Sequence, residues 1–280
     1  MPADLTPPTS RRPTRPAPPA CLIRRPARVA AWLKGLVLAL LCAGGVHAPV
    51  ALAATTIKTG DGSGPRIEGS GRVGEEVRTT APFSALTLTG PVDVQLKAGA
   101  APRVTVRADD NLLPVITTEV VDRRLVVGIK PQTWARTRNK MVVVVEFTEL
   151  TGILVRGSGD VDADRIQAAL FEIVLRGSGD VKIERLEADA LALSITGSGD
   201  VTVGGSSRAL GVDIFGSGDV RADRLESRQV AVRIRGSGDA RVHAVETLQV
   251  EISGSGDVRY RGTPQIQQKI SGSGELLPLK

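Results

Sequence analysis

The 280-residue chain carries 36 basic and 30 acidic residues, is 41% hydrophobic and 2% aromatic, and has two cysteines. Seven of the basic residues and one acidic residue fall in the first 53 positions, so residues 54–280 hold 29 of each and are close to neutral. That balance, with one Trp, one Tyr and four Phe available for stacking, argues against a nucleic-acid partner, and the lack of cysteine after Cys42 excludes disulfides and thiolate metal sites from the body.

In chain order, the first predicted element is a leader. Residues 1–34 are rich in Pro and Arg, and the mostly apolar run GLVLALLCAGGVHAPVALAA follows from Gly35 to Ala54. A basic n-region, an apolar h-region and the small-residue site Ala51-Leu52-Ala53 predict a signal peptide over residues 1–53, cleaved between Ala53 and Ala54. A retained anchor is the alternative, but Gly44, Gly45, His47 and Pro49 dilute the apolar run. Leu41 does not suit a lipoprotein site at Cys42, and Arg24-Arg25 lack the rest of a twin-arginine signal. Residues 54–68 are expected to be a flexible linker, because the GSG triplet there has no flanking alternation.

Residues 69–150 read as irregular β-structure. Leu86 to Leu96, LTLTGPVDVQL, has the outline of a first coil whose turn has drifted: Gly90, then Asp93 three positions later. Strand-like runs at Val104–Arg107, Leu125–Ile129 and Met141–Phe147, broken by a loop at Pro131–Lys140, are expected to be further irregular coils or an N-terminal cap.

From residue 151 a tetrad GSGD recurs with its first glycine at Gly157, Gly177, Gly197, Gly216, Gly236 and Gly254, and as GSGE at Gly272. The spacings are 20, 20, 19, 20, 18 and 18 residues, the mark of a repeat architecture. Two, four and six positions before Gly197, Gly216, Gly236 and Gly254 stand apolar residues, such as Leu191, Leu193 and Ile195, alternating with mostly polar or small ones. After it come apolar residues four and six beyond the glycine (Val201 and Val203), and often another nine beyond, as at Ile166, Leu186, Leu225 and Val245. Each coil therefore presents three inward-pointing sides. The recurring GSG break leaves no room for paired helices, and Val and Ile dominate the apolar positions. One coil buries too little to offset the ordering of its own backbone, so coils must stack. The expected fold is all-β: a parallel β-helix, or β-solenoid, of about seven coils of 18–20 residues, with regular coils over residues 151–280.

The tetrad reads first as a corner. Glycine supplies φ > 0 at Gly157, Gly177, Gly197, Gly216, Gly236 and Gly254. Ser and Asp side chains are expected to bond nearby backbone N–H groups and close the turn. Stacking then makes one ladder of Ser158, Ser178, Ser198, Ser217, Ser237 and Ser255, and another of Asp160, Asp180, Asp200, Asp219, Asp239 and Asp257. Carboxylates about 4.8 Å apart repel by about 1 kcal/mol in water. N–H donors and nearby arginines, including Arg221 and Arg259, can offset this, and so can a cation. Calcium at the six aspartates is therefore the sharper alternative, but one GSGD per coil supplies only half of the ligand cage of a nonapeptide calcium repeat. The structural corner is preferred, with no metal and no cofactor expected. No enzyme is expected either: residues 54–280 contain one histidine, His243, no cysteine and no phosphate-binding glycine motif. Paired carboxylates could serve a glycosidase, yet a uniform ladder lacks the two unlike environments catalysis needs.

The L-x-V-x-I-x-GSGDV-x-V units, FSALTLTGPVDVQL, ADDNLLPVITTEVVDRRLVVGI and the closing YRGTPQIQQKISGSGEL together resemble the head GIN domain family over residues 69–280. These are secreted bacterial proteins labelled putative auto-transporter adhesins, formerly a domain of unknown function. The resemblance implies a right-handed β-helix-like fold and a location in the bacterial cell envelope. No alternating, aromatic-girdled strands follow the last coil before Lys280, so no integral membrane barrel is expected in this sequence. The expected function is a non-enzymatic, exported binding or adhesion module, periplasmic or at the cell surface. Its expected partner is a glycan or an envelope or surface protein, and its open coil ends could support a homo-oligomer. The alternatives are a carbohydrate-active enzyme using the Asp edge and a structural envelope scaffold.

Overall fold

The structure, a computed structural model, describes residues 66–279. The expected signal peptide and residues 54–65 of the expected linker lie outside the described residues. Among the described residues there is no α-helix, and the single helical feature is a 3-10 turn at Leu113–Val115.

The N-terminal portion comprises β1 (Arg66–Glu68), β2 (Val73–Arg78), β3 (Ala85–Gly90), β4 (Asp93–Ala98), β5 (Arg103–Asp109), β6 (Ile116–Val121), β7 (Arg124–Ile129), β8 (Trp134–Arg136) and β9 (Val142–Phe147). β3 and β4 are the two sides of the drifted first coil. On one side of it lies an irregular coil, with β7 parallel to β3 and β9 parallel to β4. Beyond that the direction reverses: β6 pairs antiparallel with β7, β5 with β9, and β2 with β5. These antiparallel strands end the parallel stack. The Arg78 guanidinium fastens them by donating to the carbonyls of Ile116 (2.6 Å) and Leu113 (2.7 Å). Of the three expected strand-like runs, Leu125–Ile129 and Met141–Phe147 supply the irregular coil, and Val104–Arg107 belongs to the cap. Arg66–Glu68, at the end of the segment expected to be linker, pair in parallel with Trp134–Arg136.

The regular portion begins with β10 (Gly152–Gly157), which stacks on the far side of the first coil with Gly157 opposite Gly90. Next, β11 (Val161–Gly177) places Val161 opposite Val94 and Ala163 opposite Leu96. The drifted turn is thus a true coil, although 67 residues separate the paired glycines Gly90 and Gly157. β12 (Val181–Gly197), β13 (Val201–Gly216), β14 (Val220–Gly236) and β15 (Ala240–Gly254) follow, each running almost the whole way round and pairing in parallel with its neighbours. β16 (Val258–Arg261), β17 (Gln265–Gly272) and β18 (Leu276–Pro278) complete the stack. Seven tetrads bound six full turns, one fewer than the expected seven coils, because the tetrads mark the ends of turns.

The inward positions are those the alternation predicts. In β11, Val161, Ala163, Ile166, Phe171, Ile173 and Leu175 are at most 3% exposed, and the equivalent residues above them continue one aliphatic column. Val245 departs from the expectation: it is 42% exposed, and Ala244 is buried in its place. That coil is two residues shorter, so Ala244 rather than Val245 takes the position opposite Ser227.

Candidate functional site

The tetrads stack at one corner, as expected, and the first glycine has the positive φ a sharp bend requires (+139° at Gly197). The role of the aspartates differs from the expected closing of their own turn. Each carboxylate reaches along the column, where its Oδ1 accepts the backbone N–H of the next corner's aspartate. Asp180 donates to Asp160 (2.9 Å), Asp200 to Asp180 (2.8 Å), Asp219 to Asp200 (3.0 Å), Asp239 to Asp219 (2.9 Å) and Asp257 to Asp239 (2.8 Å). The same aspartate's carbonyl accepts from the coil it donates to, as in Val181 N–H to Asp200 O at 2.9 Å. Neighbouring corners are thereby clipped in both directions. The ladder extends one rung past the GSGD set at each end, through Asp93 below (3.2 Å) and the Glu275 N–H above (3.0 Å). Both were legible, Asp93 in the drifted GPVD and Glu275 in GSGE, but neither was assigned to the ladder.

These bonds supply the offset to carboxylate repulsion that the sequence demanded. An N–H dipole points at each charge, a charge-assisted bond stronger than a neutral one. Arg221 adds a cation between two rungs, 3.1 Å from Asp200 Oδ2 and 3.6 Å from Asp219 Oδ2, and Arg259 lies 3.6 Å from Asp257. Among the described residues no group of three or more His, Cys, Asp or Glu side chains converges as a metal site. Ser158, Ser178, Ser198, Ser217, Ser237 and Ser255 are exposed, and none of their hydroxyls joins a hydrogen bond between described residues.

His243 stands on β15 opposite Glu226 and Arg261, and is half-buried. Two other carboxyls have unusual surroundings. Burial pushes the Glu172 pKa up, against the pull of Arg124. Asp109, 1% exposed, is held below the ordinary carboxylate range by the Thr137 hydroxyl (2.6 Å), with the Asn139 amide (2.5 Å) in support. That pair of bonds ties the Pro131–Lys140 loop to the cap and leaves Asp109 occupied structurally.

On the outer face before the corner, charges alternate up the column. Arg233 lies 2.7 Å from Asp213 and 3.4 Å from Glu251, and Lys269 lies 3.5 Å from Glu251.

Two concavities lie on the column among the described residues. The first, about 610 Å3, overlies β13, whose coil is a residue shorter than its neighbours. Gly205 stands there between Leu186 and Leu225, and the buried hydroxyls of Ser207 and Ser227 bond each other at 2.8 Å. Its rim is already paired, with Arg208 2.6 Å from Asp189. The second, about 390 Å3, lies between the Gly90-Pro91 corner and the loop from Ile129 to Ala135. Ile129, Pro91, Pro131 and Trp134 give it an apolar lining, and Thr89, Lys130, Gln132 and Thr133 bring polar groups. Trp134 is 62% exposed, and Gln132 takes a left-handed φ of +58° that only its surroundings can hold. Sequence reasoning located this loop and passed over the cleft. The available signal was the lone tryptophan of residues 54–280, set after Pro131 among mostly polar residues rather than in an alternating run.

Solved structures of similar fold come from several bacteria. A "putative adhesin" of Bacteroides fragilis superposes with a TM-score of 0.72 at 23% identity, covering 76% of this chain and all of that one. A "putative lipid binding protein" of Parabacteroides distasonis gives 0.67 at 24% identity, covering 77% of this chain and all of that one. A "putative adhesin" of Parabacteroides merdae gives 0.63 at 23%, covering 77% and 99%. At such identities the likeness establishes the shared fold. No curated protein matches the chain. The family described as "Putative auto-transporter adhesin, head GIN domain" matches residues 82–264, from just before the first coil to the start of the last. With its corner ladder, its drifted first coil and that match over more than half its length, the chain belongs to the head GIN domain family.

Proposed function

We propose that the protein is a non-enzymatic binding or adhesion module, exported to the periplasm or the surface of the bacterial envelope, that engages a glycan through the cleft at Trp134. The observation that carries this reading is an exposed tryptophan beside a preformed cleft on a rigid column. A sugar ring offers an apolar C–H face and an equatorial rim of hydroxyls. The Trp134 indole suits the first, and the amide, hydroxyl and ammonium groups of Gln132, Thr133 and Lys130 suit the second. Pro91 and Pro131 keep the walls stiff, which lowers the ordering cost of binding. The aspartates support binding over catalysis, because each spends one carboxylate oxygen on the neighbouring coil. The family label supports an adhesive role and an envelope location.

Glycan-array binding compared between wild type and Trp134→Ala tests the reading, with melting temperature as the control for folding. Loss of binding by tenfold or more at an unchanged melting temperature is expected, since stacking on an aromatic ring contributes roughly 1–3 kcal/mol. Binding that survives the substitution moves the ligand away from the cleft. Turnover of any polysaccharide, abolished by single aspartate changes, would replace the binding reading with an enzyme.

A further inference from the structure

The two ends of the column are built differently. Antiparallel strands β5, β6 and β2 close the N-terminal end, whereas β17 at the other end pairs with β15 along one edge only. All eight residues of β17 are exposed. Its register places Ile266 over Leu248, Gln268 over Val250 and Ile270 over Ile252, so these three face the core while their outer neighbours meet solvent. Ile266 and Ile270 are 40% and 38% exposed, although every aliphatic residue they stack on is at most 3% exposed. Alternate N–H and C=O groups along the free edge also lack a partner among the described residues.

We propose that this edge is the interface of a two-fold symmetric dimer, in which β17 pairs antiparallel with β17 of a second copy. The argument is the strand's core-facing pattern, Ile266, Gln268 and Ile270, which is the same in either direction about Gln268. On the core face, antiparallel pairing centred there sets Ile266 against the partner copy's equivalent of Ile270, and the reverse. The two Gln268 amides meet on the axis, where each offers a donor and an acceptor. On the outer face Gln267 meets Lys269 and Gln265 meets Ser271, so no two like charges stand directly opposite. A two-fold axis through Gln268 along its side-chain direction leaves both cores on the same side of the joined strands, and the aliphatic column continues from one copy into the other. Isologous pairing also uses up both free β17 edges at once, so the assembly closes at two. A head-to-tail contact with β2 of another copy would instead leave free edges and grow into filaments. The dimer is independent of the Trp134 cleft, which lies toward the capped end.

The test is a charge exchange on the axis, read by sedimentation equilibrium or light scattering of the full-length protein. Wild type is expected to show a concentration-dependent equilibrium between monomer and dimer. Gln268→Lys and Gln268→Glu each put like charges face to face, and each is expected to weaken the dimer by tenfold or more. An equimolar mixture of the two variants is expected to restore association. Position 268 is already exposed, so retained circular dichroism and melting temperature will separate lost pairing from lost folding. A monomeric wild type at high micromolar concentration overturns the proposal. So does an open-ended series of species, a dimer indifferent to both variants, or a mixture that stays monomeric.

Discussion

Replacing Gly199 by alanine probes how closely the corners are stacked. A β-carbon there would sit against the backbone carbonyl oxygen of Gly179, well inside van der Waals contact, and 3.0 Å from the Leu175 Cδ2. The obstruction is backbone, so no rotamer change relieves it, and the two corners must part by about 1 Å before carbon and oxygen reach ordinary separation. Four hydrogen bonds cross that gap: Ser198 N–H to Gly177 O at 3.0 Å, Gly199 N–H to Gly177 O at 3.3 Å, Val181 N–H to Asp200 O at 2.9 Å and Asp200 N–H to Asp180 Oδ1 at 2.8 Å. At about 1 kcal/mol net for each, the loss is about 4 kcal/mol, or about 8–16 °C in the melting temperature of a domain this size. Calorimetry measures the shift, and amide exchange should show Val181 and Asp200 opening first. Ser198→Ala, which removes only an exposed hydroxyl, is the companion and should stay within about 0.5 kcal/mol of wild type. If Gly199→Ala melts within about 2 °C of wild type with both amides still protected, corner stacking does not hold the coils together.

Two further outcomes follow from the electrostatics. Asp109 has its pKa lowered below the ordinary 3.8 by the Thr137 and Asn139 hydrogen bonds, so its contribution to stability is present above that value and is lost as pH falls through the lower folded-state value. Asp109→Asn should therefore melt lower than wild type at neutral pH, and the two curves should converge under acid; a gap that stays constant with pH would refute the assignment. Calcium should neither raise the melting temperature nor register in titration calorimetry, and chelation should leave stability unchanged. A calcium-dependent rise lost on Asp200→Asn would show that the second carboxylate oxygens bind a cation.

The regular half was legible because a period of two inside a period of about twenty leaves little freedom. Leu191, Leu193 and Ile195 could point only one way once Gly197 was a corner, and they are at most 2% exposed. The drifted coil was legible for the same reason, since Gly90 and Asp93 kept their places while the letters between them changed. The cap was not. The chain leaves the first coil for the antiparallel strands, returns through β7 and β9, and only then passes to β10 on the opposite side. Nothing local in Val104–Arg107 distinguishes an antiparallel strand from a parallel one, because the choice depends on partners far along the chain. The direction of the aspartate bonds was hidden likewise: an aspartate after Gly-Ser-Gly has an acceptor to offer, and whether its own turn or the next coil supplies the donor is decided by stacking.

The column is finished at one end and built of interchangeable rungs elsewhere, so its reach can change without rebuilding its base. Duplicating a twenty-residue stretch between two tetrads, such as Gly177 to Thr196, would add one rung and about 4.8 Å of height. The newcomer would receive an aspartate N–H from above and offer a carboxylate to it, as every existing rung does. Length is therefore a quantity that gene duplication can adjust in whole steps, while the tryptophan-lined hollow near the foot stays as it is.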